Sequence, residues 1–401
     1  MQRILAQVTR FLDGEILGCH PGARGWFRRA GLALLVGAST ASAAPPPGGA
    51  DYLKRHYDFG APAAPAVAAS TGPQWVPIPR TEGRITRKQL GLVINTSDPY
   101  SVEVGEFYIK ARGLTAGQVL RVELPVRPAL TPEEFKAFAA QIDGFFGAPV
   151  QALALAWTFP YAVACNSITG ALALGYDGAL CAKSCAASAR SPYFNNPSIQ
   201  PHAELKLWPS MLLAARDVAM AKAMIQRGVA SDGSLGLRGG MPAHAWFVAT
   251  GDVARGVRRP LFPPPGLLRR VGVEVHVEAA PAIENARRVL LYQTGAVSVP
   301  KLDTIKWVPG ALADHLTSFG GVLDGGDGQM SIIDWIASGA TASYGTVSEP
   351  CAHQQKFPHP QILLLNYLQG ASALEAYWRS VAWPQQGVFI GEPLAAPFAR
   401  P

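Results

Sequence analysis

Asp314, His315 and Ser318 place an acid, an imidazole and a hydroxyl within one short segment. A hydroxyl attacks only when an adjacent base takes its proton. His315 is the one group of the three that titrates near neutral pH, and Asp314 could orient it. Thr317 offers a second hydroxyl beside the same base. These four residues are the catalytic candidates. Neighbours in sequence usually point apart, so the same residues also read as a turn capped by Asp314 and a structural His315. A second group is Ser348 and Glu349, with Lys356 behind. A carboxylate there would hold a cationic or hydroxylated ligand, or pair with Lys356. Cys351 and His353 could imitate a thiol–imidazole pair. Glycines 295, 320, 321 and 345 would let backbone approach a ligand with no side chain in the way.

Other chemistry-bearing residues give less. The segment from Asp324 to Gly328 resembles part of a calcium loop but lacks the other acidic positions and the distal Glu. It reads as a loop over the sheet edge with at most weak cation binding. His202 and His244 look isolated, and His276 alternates with Val273, Val275 and Val277, as on the solvent face of a strand. No cofactor and no metal is expected.

Five cysteines become four if Cys19 is removed with a leader: Cys165, Cys181, Cys185 and Cys351. An even number outside the cytoplasm suggests disulfides, with connectivity open. At least one bridge is expected among Cys165, Cys181 and Cys185. The alternative is a zinc site using three thiols and His202.

The elements that must position these residues are of α/β type. Strands are expected over 89–95, 119–126 and 150–157. A helix capped by Ser101 and stopped at Gly113 lies between the first two. Thr131, Pro132, Glu133 and Glu134 form a capping box that opens the next. Strand–helix alternation of this kind predicts a mostly parallel sheet with helices on both faces. Residues 160–210 break the rhythm and read as a long cysteine-containing insertion. After it, helices are expected over 210–227, 280–287, 331–338, 362–368 and 371–381. Strands are expected over 245–250, 289–293, 341–346 and 388–390. Residues 89–401 thus form one α/β domain, and its pockets should lie beyond the carboxyl ends of the strands. Thr294, Gly295, Gly320, Ser348 and Glu349 are the binding candidates there.

The N-terminus reads as a secretion signal over residues 1–44. Arg24, Arg28 and Arg29 precede a short apolar run and small residues, predicting cleavage near Ala43 or Ala44. That run is shorter than the roughly 20 residues a membrane span needs, and no other stretch qualifies. Residues 45–88 read as a flexible Pro- and Ala-rich N-terminus. The net charge of +7 is partly carried by arginines at the removed end, and charged residues are scarce at 16%. The cluster Arg255, Arg258, Arg259, Arg269 and Arg270 reads as solvated loop charge. No basic face interleaved with aromatics is present, which argues against nucleic acid as a partner.

The C-terminal third resembles an uncharacterised family of exported bacterial proteins frequent in genomes with the PEP-CTERM/exosortase sorting system. The residues that carry this are 313–321, 339–350 and 356–358, then Gly370, Glu375 to Trp378, Gly391 to Leu394, Pro397 and Phe398. Earlier in the chain, Glu106 to Tyr108, Arg112, Gly113 and Ser167 to Thr169 belong to the same likeness. The order of elements is also similar to gingipain-type cysteine peptidases of caspase-like fold. In those, one strand ends in His-Gly and the next ends near the nucleophilic Cys. Here Thr294 stands in place of the histidine and Thr317 or Ser318 in place of the cysteine. The resemblance therefore implies a caspase-like fold without the Cys–His dyad. It favours an exported binding or envelope-associated protein whose partner is an envelope protein, a peptide or a glycan. The alternative is a hydrolase using Ser318 or Thr317 with His315 and Asp314.

Overall fold

The computed structural model describes residues 74–237, 239–326 and 328–400, all within one unit, Ser70–Pro401. The expected signal over 1–44 and most of the 45–88 stretch lie outside them. The described end of that stretch runs along the C-terminal helices. Val76 N donates to Gln361 Oε1 at 2.7 Å and Thr81 N to Gln369 Oε1 at 3.0 Å.

The chain opens with β1 (Leu90–Asn95), α1 (Pro99–Arg112), β2 (Val119–Val122), β3 (Ala129–Leu130), α2 (Pro132–Phe145) and β4 (Ala152–Leu155). The cap of α1 is Asp98, whose carboxylate accepts from Tyr100 N at 3.0 Å, with Pro99 at the first helical position. Asp98 wins over the expected Ser101 because Asp followed by Pro supplies cap and preset φ together. Ser101 is instead buried inside the helix and accepts from Asn95 N at 2.8 Å. Gly113 ends α1 at φ 62°. The capping box of α2 forms as read, Thr131 Oγ1 accepting from Glu134 N and Glu134 Oε2 from Thr131 N.

The insertion holds β5 (Ala162–Val163), β6 (Asn166–Ser167), α3 (Ile168–Leu174), α4 (Ala179–Ala182) and α5 (Pro201–Leu205). Its three cysteines are all bridged, Cys165 to Cys181 and Cys185 to Cys351. The thiols are therefore not zinc ligands. The second bridge ties the insertion to a loop near the C-terminal end of the chain, at Cys351.

Next come β7 (Ser210–Leu212), α6 (Val218–Ser231), β8 (Ala243–Ala249), β9 (Gly266–Leu268), β10 (Val273–Ala279), β11 (Arg287–Gly295) and β12 (Lys306–Leu316). The single helix expected over 210–227 is a strand and a helix. Ser210–Leu212 is fully buried, so its apolar run carries no alternation to reveal it, and Asp217 starts α6 by accepting from Met220 N. The helix expected over 280–287 does not form, and that segment is loop leading into β11. The chain closes with α7 (Ile333–Ser338), β13 (Ala342–Thr346), α8 (Pro360–Leu368), α9 (Ala373–Ser380) and β14 (Gly387–Gly391).

Eleven strands make one sheet in the order β2-β1-β4-β7-β14-β13-β12-β11-β8-β10-β9. Pairing is mostly parallel. β14 runs antiparallel to β13, and β9 antiparallel to β10. Both faces are covered. On β1, Ile94 packs beneath Gly105 of α1, while Gly91, of opposite parity, faces Phe146 at the end of α2. Trp378 of α9 stacks on Phe389 of β14 at 4.4 Å. Among the described residues no helix is long and apolar enough to cross a membrane.

Candidate functional site

Strand geometry decides the fate of the first candidates. Asp314 and His315 are consecutive in β12, so their side chains leave opposite faces of the sheet. Asp314 pairs in register with Gln293 of β11 and accepts from its Nε2 at 2.7 Å. Its other oxygen accepts from Arg258 Nη1 at 2.6 Å. Arg258 also donates through Nη2 to Thr294 O at 2.7 Å. Burial pushes the Asp314 carboxyl up, and Arg258 draws it back only in part.

His315 lies on the other face, with both ring nitrogens engaged. Trp335 Nε1 donates to Nδ1 at 3.0 Å, and Nε2 lies 3.1 Å from Met330 O. A carbonyl only accepts and an indole N–H only donates. The ring is therefore the neutral Nε2–H tautomer. Burial drives its pKa down to about 3.

Thr317 is buried, donates to Gln329 Oε1, and accepts from Arg255 Nε at 3.1 Å. Ser318 is half-buried, and its hydroxyl makes no hydrogen bond with the described residues. Nothing joins Asp314, His315 and Ser318 to one another. The Asp–His–Ser set of the alternative reading is not assembled, because alternation along β12 sends its acid and base to opposite faces.

Thr294 donates to Val248 O at 3.0 Å. The glycines do permit close approach, but the chain itself approaches. A Cβ on Gly295 would sit 2.0 Å from Arg255 O, and one on Gly321 would sit 2.5 Å from Gly345 O. On Gly320 it would meet Thr317 Cγ2 at 3.2 Å and His315 Cε1 at 3.5 Å. Thus the ends of β11 and β12 are roofed by residues 252–261. Arg255 and Arg258, read from sequence as solvated charge, are two of the pins, and Arg258 is only 2% exposed.

Ser348 holds the insertion, and Glu349 holds the turn of its own loop. Ser348 Oγ donates to Cys165 O at 2.7 Å and accepts from Gln386 Nε2 at 2.8 Å. Glu349 Oε1 accepts from Cys351 N at 2.6 Å. Lys356 does not pair with Glu349. It donates to Ser184 O at 2.6 Å, and burial lowers its pKa to about 8.

An open cleft of about 570 Å³ lies beside this closed region. Asp98 follows β1, Thr158 and Phe159 follow β4, and Ala215 and Arg216 follow β7. The loop after β12 adds Leu323, Asp324, Gln329 and Ser331, and α7 adds Asp334. Three aspartates face one arginine, and Arg216 is already paired with Asp334. Tyr161 OH donates to Asp324 at 2.8 Å. Burial raises the Asp98 carboxyl, against two backbone N–H groups of the helix start that lower it.

No family model and no curated protein matches the chain. Among solved structures it is similar to the Arg specific cysteine proteinase gingipain R (RGPB), at TM-score 0.39 and 10% identity over 79% of this chain and 80% of that one. It is similar also to the complex of Porphyromonas gingivalis RgpB pro- and mature domains, at TM-score 0.39 and 10% identity, covering 78% and 79%.

Sequence reasoning missed Asp98, Tyr100, Arg216, Gln329 and Asp334 as wall residues of one cleft. They come from four separate segments, and only the strand order joins them. The one local signal was Asp98 followed by Pro99, which marks a helix start after a strand. Sequence also left His244 isolated, whereas the structure sets its Nδ1 3.0 Å from His276 Nε2.

Proposed function

We propose that this chain is an exported binding protein that takes a cationic side chain, lysine or arginine of a peptide, in the acidic cleft after β1, β4 and β7. It carries out no peptide hydrolysis. The single observation behind this reading is the cleft wall: among the described residues Asp98 and Asp324 have no cationic partner, and they stand beside apolar Phe159, Leu323 and Ile333. A guanidinium or ammonium would satisfy the carboxylates while its stem covers the apolar wall. Support for the absence of hydrolysis comes from His315, which has no free nitrogen, and from Thr317, already held by Arg255 and Gln329. The paired cysteines fit an oxidising compartment.

Fluorescence anisotropy with labelled arginine peptides and their citrulline counterparts tests it. Citrulline keeps the shape and loses the charge. Asp98→Asn preserves the helix cap, and Asp324→Asn preserves the hydrogen-bond acceptor for Tyr161. Each should weaken the arginine peptide about 10-fold or more, the worth of a charged hydrogen bond, and leave the citrulline peptide unaffected. Equal binding of arginine and citrulline peptides would overturn the reading. So would labelling of Ser318 by a fluorophosphonate.

A further inference from the structure

We propose that His244, Glu274 and His276 form a site for one divalent transition-metal ion of the zinc class, on the outer face of β8 and β10. Nothing in the cleft proposal bears on it. The strands pair in parallel register, His244 beside Glu274 and Trp246 beside His276. Alternation sends these four side chains to one face, while Ala243, Ala245, Val273 and Val275 go to the core.

Three donor atoms converge. His244 Nδ1 and His276 Nε2 are 3.0 Å apart, Glu274 Oε2 is 3.6 Å from the first, and it is 4.0 Å from the second. Zinc bonds of about 2.0–2.1 Å in tetrahedral geometry put ligand atoms roughly 3.3–3.4 Å apart, a spacing that the three distances bracket. Two imidazoles and one carboxylate are a donor set zinc uses when it keeps a position open. The side chains are 27%, 43% and 23% exposed, so a fourth ligand can come from solvent. Trp246 stacks on His276 at 4.0 Å and 12°, fixing the ring that carries the second nitrogen. When the ion enters, each histidine stays neutral and carries its proton on the ring nitrogen that does not bind the metal. The hydrogen bond between the rings is replaced by two metal bonds.

The test is equilibrium dialysis of the full untagged chain against zinc, with bound metal quantified. A parallel titration with copper or nickel reads quenching of tryptophan fluorescence. One ion per chain is expected. His244→Gln, His276→Gln and Glu274→Gln should each weaken zinc about 100-fold or more, since losing even an outer partner of a ligand costs 10–100-fold. His202→Gln is the control, because His202 also stacks on a tryptophan, Trp208 at 3.5 Å, but belongs to no group of three ligands among the described residues. It should bind as the parent does. Circular dichroism checks the fold. Glu274→Gln, on a half-exposed residue, keeps the test valid if a histidine variant fails to fold. Absence of zinc binding by the parent at millimolar metal would overturn the site. Unchanged affinity in Glu274→Gln or in His276→Gln would overturn it equally.

Discussion

Acid should weaken the fold through His315, and the size of the effect can be worked from its surroundings. The neutral ring accepts from Trp335 at Nδ1 and donates to Met330 O at Nε2. A second proton could enter only at Nδ1, against the indole N–H, in a fully buried site. The folded pKa is accordingly about 3, against 6.5 in the unfolded chain. Between those values the unfolded state binds more protons, so stability rises with pH there. The contribution is fully present above the unfolded value and is lost as pH falls toward the folded one. Going from about pH 7 to about pH 5 should cost roughly 2 kcal/mol from this residue alone. Burial depresses His359 to about 4 as well, so the total slope is not diagnostic by itself. The comparison that isolates His315 is His315→Gln, whose amide can accept from Trp335 and donate to Met330 but does not titrate. Urea unfolding of both proteins at the two pH values gives the difference in slope. The parent should lose about 2 kcal/mol more than the variant. Equal losses, or a folded-state NMR titration of His315 near its ordinary value, would refute the argument and restore His315 as a possible base.

Arg112 donates to Glu392 through Nε at 2.9 Å and Nη2 at 2.5 Å, and Tyr108 OH donates to the same carboxylate at 2.7 Å. Glu392 is fully buried, so Arg112→Ala leaves an uncompensated charge and should destabilise by about 3–5 kcal/mol in urea unfolding. A loss under about 1 kcal/mol would show that water reaches the carboxylate. The two disulfides should differ in worth. Cys185–Cys351 spans 166 residues and Cys165–Cys181 spans 16, which chain entropy converts to about 5 and about 3 kcal/mol. Removing each pair to alanine and measuring denaturant midpoints without reductant should show the longer bridge costing more, and the reverse order would count against the entropic account.

The sheet was legible where capping and alternation are local. Thr131 with Glu134 marked α2, and the alternation of His276 with Val273, Val275 and Val277 marked β10. It was illegible where burial is complete. Ser210–Leu212 is buried on both faces, and a short run of that kind looks the same as a helix segment. The candidate site was harder to read for a different reason. Asp314, His315 and Ser318 stood together in sequence, and the strand period separated two of them. Asp98, Asp324 and Asp334 stood far apart, and the topology gathered them. The pairing of β8 with β10 likewise brought His244 to His276, 32 positions away.

The position of β14 bears on how this molecule is made. It is the last strand in chain order, yet it lies between β7 and β13, in the middle of the sheet. Until it emerges from the ribosome, β7 and β13 have no strand between them to make the sheet continuous. Its pairing with β13 closes that gap, and its contact with β7, Ile390 beside Leu212, joins residues on either side of the whole β8–β13 segment. Long-range closure of this kind is slow compared with local helix formation. A nascent chain therefore lacks the central strand of its sheet until its last residues are made. Truncation before Gly387 should leave two aggregation-prone edges, on β7 and on β13, rather than a smaller domain.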